Sequence, residues 1–114
     1  MRRFAQFGKL KPESRERYIA LHAEVWPKVL EVLKTGNIGN YSIYIQGNNV
    51  FQYFEYYGSN FIEDSDKMKQ NPVNIRWQAE TSQCFETFYS DAEEVFHRVI
   101  NTILGGLYSV QHAK

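Results

Sequence analysis

Tyr18, His22 and Trp26 stand four residues apart. On a helix that spacing puts them in one row, beside a second row of Leu21, Val25 and Val29. A titratable imidazole is thereby held at the edge of an apolar face, between two rings with polar tips. Histidine needs the least tuning of any side chain to move protons at neutral pH, so acid–base chemistry is one reading of this row. A core-edge histidine with a single satisfied hydrogen bond is the other, and the spacing leaves both open. Tyr41 begins a later strand and can approach the same cleft from a second element, while Trp77, after Arg76, offers a flat apolar surface. Rings with polar tips suit a sugar, whose C–H face lies on a ring while its hydroxyls meet polar groups.

Other chemistries lack their signatures. There is no GxGxxG, no P-loop and no GxSxG elbow. His22, His97 and His112 lie too far apart for paired zinc-ligand spacing, so no metal is expected. Asp64-Ser65-Asp66 lacks the glycine and terminal Glu of an EF-hand loop and reads as a solvated helix surface. Glu93-Glu94 reads as exposed charge preceding a strand. The single Cys84 excludes an intramolecular disulfide and a cysteine cluster, and fits a small buried residue on a helix.

The elements that must position these residues follow from pattern. Arg3 to Leu10 reads as a short aromatic strand closed by Lys11-Pro12. Pro12, Glu13 and Glu16 open a helix whose apolar positions are Leu21, Val25, Val29 and Leu33, with Gly36 as its stop. Pro27 lies inside this pattern and should kink or break it beside His22. Tyr41–Gln46 and Val50–Tyr57 flank Gly47-Asn48-Asn49 as a β-hairpin. Asn60 with Glu63 caps a short helix toward Gln70, and Pro72 starts another over Val73–Tyr89. A fourth strand is expected over Glu94–Ile100.

The order β-α-β-β-α-β is that of a ferredoxin-like α+β sandwich: one antiparallel sheet with helices on one face. At 114 residues the chain is read as a single domain, 1–114, in which 101–114 forms a C-terminal extension interrupted by Gly105-Gly106. Aromatic residues are abundant, with eight Tyr, eight Phe and two Trp. Rings fall on both faces of the hairpin, so the uncovered sheet face calls for a partner, and a homodimer is the expected solution. Thirteen basic and thirteen acidic residues cancel, which gives no overall field for nucleic acid or an anionic membrane. The N-terminus lacks the apolar stretch of a signal peptide, and no run approaches the ~20 apolar residues of a membrane span. A soluble cytoplasmic protein is expected.

The segment Leu21-His22-Ala23-Glu24-Val25-Trp26-Pro27, then Val32-Leu33-Lys34, Asn40-Tyr41-Ser42-Ile43-Tyr44 and later Trp77, resembles the L-rhamnose mutarotases. The elements H-x-x-x-W-P and N-Y-x-I-Y match that family in order and separation. The likeness is strong to Tyr44 and looser over the rest of the first 90 or so residues. It implies a small, homodimeric, cofactor-free ferredoxin-like enzyme that interconverts the α and β anomers of L-rhamnose. His22 would then be the catalytic acid, with Tyr18, Tyr41 and Trp77 contacting the sugar. The family pattern carries a second Trp after the one matching Trp77. This chain has Gln78 there, an amide at a sugar-contacting position that can alter the sugar preferred.

Mutarotation opens a cyclic hemiacetal, turns the carbonyl and recloses it on the other face. Proton delivery to the ring oxygen and proton removal from the anomeric hydroxyl each lower the barrier, typically by ~10²–10⁴-fold. The residues name an acid and leave the base open, since a phenol of pKa ~10 needs help to act as one. The same scaffold also admits other readings: a mutarotase for L-fucose or a related sugar, a dimeric α/β-barrel oxygenase, or a non-catalytic sugar-binding module.

Overall fold

Lys11 and Pro12 end the first strand because proline has no amide hydrogen for a ladder. In the computed structural model, which describes residues 1–93, that strand is β1 (Arg2–Leu10). A single 3₁₀ turn at Pro12–Ser14 leads into α1 (Arg15–Ala23). The helix then breaks, and α2 (Pro27–Thr35) restarts with Pro27 in its first turn, where a missing N–H costs nothing. The expected interruption beside His22 is therefore a full break.

β2 (Ile38–Gln46) and β3 (Asn49–Tyr56) form the expected hairpin around Gly47, whose φ of +60° suits the turn. β2 begins at Ile38, three residues before the Tyr41 start expected from the sequence, and Asn37 and Asn40 absorb positive φ values of 63° and 46° around that start. α3 (Phe61–Gln70) is capped as expected: Asn60 Oδ1 accepts the Glu63 amide at 3.1 Å. α4 (Pro72–Ser82) starts at the expected proline, and Asn71 caps it by accepting from the amides of Val73 and Asn74.

The second long helix is shorter than the sequence pattern predicts. It stops at Ser82, and Phe85–Ala92 forms β4 instead of the last turns of a helix over Val73–Tyr89. The physical reason is the open edge of β1, whose backbone groups need a partner. The Cys84 carbonyl accepts the Lys11 amide at 2.9 Å, and Phe85 to Ala92 then pair antiparallel with Leu10 to Ala5. Cys84 thus lies in the turn between α4 and β4, not on a helix, though it is buried as expected. Glu93 follows β4 and is exposed as expected. The strand read at Glu94–Ile100 and the extension at 101–114 lie outside the described residues.

The sheet order is β2-β3-β1-β4, antiparallel throughout, which with two helical crossovers is the ferredoxin-like fold of dimeric α+β barrels. Alternation along β3 sorts its faces: Val50, Gln52, Phe54 and Tyr56 are buried toward the helices. Leu10, Tyr18, Val50 and Cys84 form the core, with Leu21, Ile43, Ile45 and Phe85 packed around it. The Tyr56 hydroxyl donates to Asp64 Oδ2 at 2.6 Å and accepts the Asn60 amide at 3.0 Å, fixing the start of α3 to the end of β3.

The cap at Asn60 should therefore be separable from the core. Asn60→Ala is expected to lower the unfolding free energy by about 1 kcal/mol, while Asn60→Asp retains most of it. Urea unfolding followed by circular dichroism measures both. Equal stability of the alanine variant and the parent would remove the cap from the account of α3.

Candidate active site

The break before Pro27 leaves His22 in the last turn of α1. Its Nδ1 lies 2.9 Å from the carbonyl oxygen of Tyr18. A carbonyl only accepts, so Nδ1 carries the proton and Nε2 is the nitrogen left for a ligand. The Tyr18 ring lies 4.2 Å from the imidazole, and Trp77 meets the imidazole edge-on at 5.3 Å. Trp26 packs edge-on against Trp77 at 5.1 Å and so supports the site from behind. Arg17 of α1 pairs with Glu80 of α4, tying the two helices that carry these groups. At the other end of α1, Arg15 Nε donates to the Gly47 carbonyl at 2.7 Å and anchors the helix to the hairpin.

Tyr41 reaches the same space because of a defect in β2. Gly39 pairs with Glu55 and Ser42 with Tyr53, so β2 spends one more residue than β3 between these pairs. Such a bulge reverses the in–out alternation and turns Tyr41 toward the helices. Its ring stacks on Phe54 at 5.2 Å, and its hydroxyl donates to Gln52 Oε1 at 2.9 Å.

Tyr18, His22, Tyr41, Trp77 and Gln78, the five residues singled out in the sequence, all line one cleft of about 770 Å³ between the helices and the sheet. Trp77 is only 6% exposed, so it is not the open platform its position in the sequence suggests. Gln78 is on its exposed side. The sequence reading missed Gln6 and the role of Gln52, which form part of the floor. Their signal was present: a polar residue at an inward position of an otherwise apolar strand face.

Burial sets the protonation states. It lowers the His22 pKa from its ordinary value near 6.5, against the opposing pull of the Tyr18 carbonyl, so the imidazole is neutral at pH 7. Burial also raises both phenols, Tyr41 to about 12 and Tyr18 further. Both remain protonated at neutral pH. Among the described residues the cleft thus holds one imidazole able to take and return a proton near neutrality, surrounded by rings, hydroxyls and amides. Among the described residues, no three His, Cys, Asp or Glu side chains converge as metal ligands.

Comparison with known proteins gives this arrangement a context. The model of the family described as L-rhamnose mutarotase matches residues 3–101. A protein named L-rhamnose mutarotase from Oceanobacillus iheyensis is 31% identical, over 75% of this chain and 88% of its own length. The crystal structure of an L-rhamnose mutarotase from Formosa agariphila superposes with a TM-score of 0.69 at 22% identity, covering 85% of this chain and 98% of that one. Tetracenomycin F2 cyclase from Streptomyces glaucescens shares the fold at a TM-score of 0.54 and 15% identity, covering 83% of this chain and 87% of its own. The scaffold alone therefore leaves the chemistry undecided. The sequence match extends through both segments that build the cleft, the α1–α2 break and the bulged start of β2, and by it the chain belongs to the L-rhamnose mutarotase family.

Proposed function

We propose that the protein interconverts the α and β anomers of L-rhamnose by cofactor-independent acid–base ring opening, with His22 as the proton carrier. The observation that carries this reading is the neutral imidazole, its Nδ1 committed to the Tyr18 carbonyl and its Nε2 free, in a cleft of phenols and amides. Tyr18, Tyr41, Trp77 and Gln78 hold the sugar.

Each step balances on that one side chain. Nε2 takes the proton of the anomeric hydroxyl, C1=O1 forms, and the C1–O5 bond breaks. O5 leaves as an alkoxide and receives the same proton from the imidazolium. Rotation about C1–C2 exposes the other carbonyl face, and closure runs the steps in reverse. The two oxygens share one carbon, so a single nitrogen can serve both. This fills the role of base that the sequence left open, because raised phenol pKa values disqualify Tyr18 and Tyr41 at neutral pH. Exposed Gln78 on the cleft wall is the position at which a preference for L-fucose or another related sugar would be set.

The functional unit in this reading is a cytoplasmic homodimer joined through the outer sheet face. No helix among the described residues is long and apolar enough to cross a membrane. On the outer face Phe7 lies 5.1 Å from Phe51 and 6.1 Å from Tyr89, and Tyr44 adds a further exposed ring. A contiguous aromatic surface of this kind is costly in water, and two-fold pairing covers it.

Three outcomes follow. His22→Ala should slow anomer exchange at least ~10²-fold in a folded protein, measured by saturation-transfer NMR. Exchange near the parent rate would eliminate His22 as the carrier. Protonated His22 cannot accept the anomeric proton, so kcat/KM should be flat through neutrality and fall on the acid side, with an apparent pKa below 6.5. Activity that rises as pH falls would contradict a neutral imidazole as the working form. Sedimentation equilibrium at micromolar concentration should give about twice 13.4 kDa. A clean monomer there rules out the sheet-face dimer.

A further inference from the structure

Gln6 on β1 and Gln52 on β3 stand directly opposite each other in the sheet register, both facing the helices. Such a position normally holds an apolar pair. Burying two amides there is costly unless their polar atoms are satisfied, and Gln52 is only 8% exposed. The satisfaction runs one way along the floor of the cleft. Tyr41 donates its hydroxyl hydrogen to Gln52 Oε1 at 2.9 Å, and Gln52 Nε2 donates to Gln6 Oε1 at 3.3 Å. Two consequences follow from the inventory of these groups. Tyr41, having spent its one hydrogen, offers only lone pairs to a ligand. Gln6, with its oxygen occupied, offers its NH₂ group, which has no partner among the described residues and belongs to a half-buried side chain lining the cleft.

We propose that Gln6 is a specificity-determining sugar contact and that Gln52 is the positioning residue that orients it. The floor then reads two hydroxyls of an aldose with opposite sense: one donates to the Tyr41 oxygen, and another accepts from the Gln6 amide. This rests on the cleft being an aldose site, and it adds a recognition element outside the row of His22 and its aromatic neighbours. An apolar pair at these two positions would cover the same floor and leave the hydroxyls unread. A sugar bearing no acceptor opposite Gln6 is disfavoured because the amide loses water without gaining a partner.

The test pairs protein variants with substrate variants. Ligand-observed NMR gives Kd, and saturation transfer gives exchange, for L-rhamnose, its analogues deoxygenated in turn at C2, C3 and C4, and L-mannose, which carries a hydroxyl at C6. Gln6→Leu and the shape-preserving Gln6→Glu should each weaken binding of sugars that keep the contacted hydroxyl by about threefold to tenfold. Toward the sugar lacking that hydroxyl the loss should vanish, and Gln6→Leu, with no amide to desolvate, should bind it at least as well as the parent. Gln52→Leu should reproduce the Gln6 loss, and the double variant should be no worse than Gln52→Leu alone, as positioning requires. Weakening by the same factor for every sugar, or no weakening, overturns the proposal. Hydroxyl-selective binding without exchange would sustain it and sink the mutarotase reading. Exchange with no Gln6 selectivity does the opposite, and a parent protein that binds none of these sugars overturns both.

Discussion

Pro27 has no amide hydrogen to give to the carbonyl of Ala23, so one continuous helix from Arg15 to Thr35 is not available to this chain. The break that results does more than bend the helical layer. It ends α1 one residue after His22, which places the imidazole in the last turn beside α4 and not in the middle of a sealed helix face. A helix C-terminus favours a positive charge, and the Tyr18 carbonyl adds to that pull. Burial acts against both and prevails, since the His22 pKa is lowered. The neutral imidazole is thus the outcome of a competition whose terms are set by where the helix stops.

The sheet contributes the opposite wall through a second irregularity. Regular alternation from Gly39, which pairs with Glu55 on the outer face, would send Tyr41 outward as well. The extra residue at the left-handed Asn40 reverses this and brings the phenol over Phe54 and Gln52. Asparagine tolerates that conformation better than most residues, which gives N-Y-x-I-Y a physical meaning: Asn40 makes the bulge and Tyr41 exploits it. Both walls therefore depend on departures from ideal elements, and His22 and Tyr41 sit at those departures.

These facts separate what could be read in the sequence from what could not. The first strand, the hairpin, the capped start of α3 and the proline starts of the helices depend on local chemistry, and they were legible. The end of α4 was not, because Thr81 to Tyr89 carries a pattern that either a helix or a strand can use. The choice was made by the unpaired edge of β1, more than seventy residues away. The five proposed site residues were legible from ring spacing together with family resemblance. The Gln6–Gln52 pair was not, since its meaning needs the strand register that sets the two amides face to face.

Anomer interconversion is its own reverse, apart from the face on which the ring closes, so any group that acts as acid during opening must act as base during closure. A separate acid and base would exchange protonation states on opening and regain them on closure. In the proposed mechanism a single neutral imidazole fills both roles, because the proton it takes from one oxygen is the proton it returns to the other. The raised phenol pKa values fit that proposal: Tyr18 and Tyr41 stay protonated at neutral pH and do not compete for the moving proton. Had a neighbouring carboxylate raised the His22 pKa instead, the resting form would be an imidazolium, able to protonate O5 but with no lone pair to open the anomeric hydroxyl. The direction of that one shift leaves in place the lone pair on which the proposed mechanism depends.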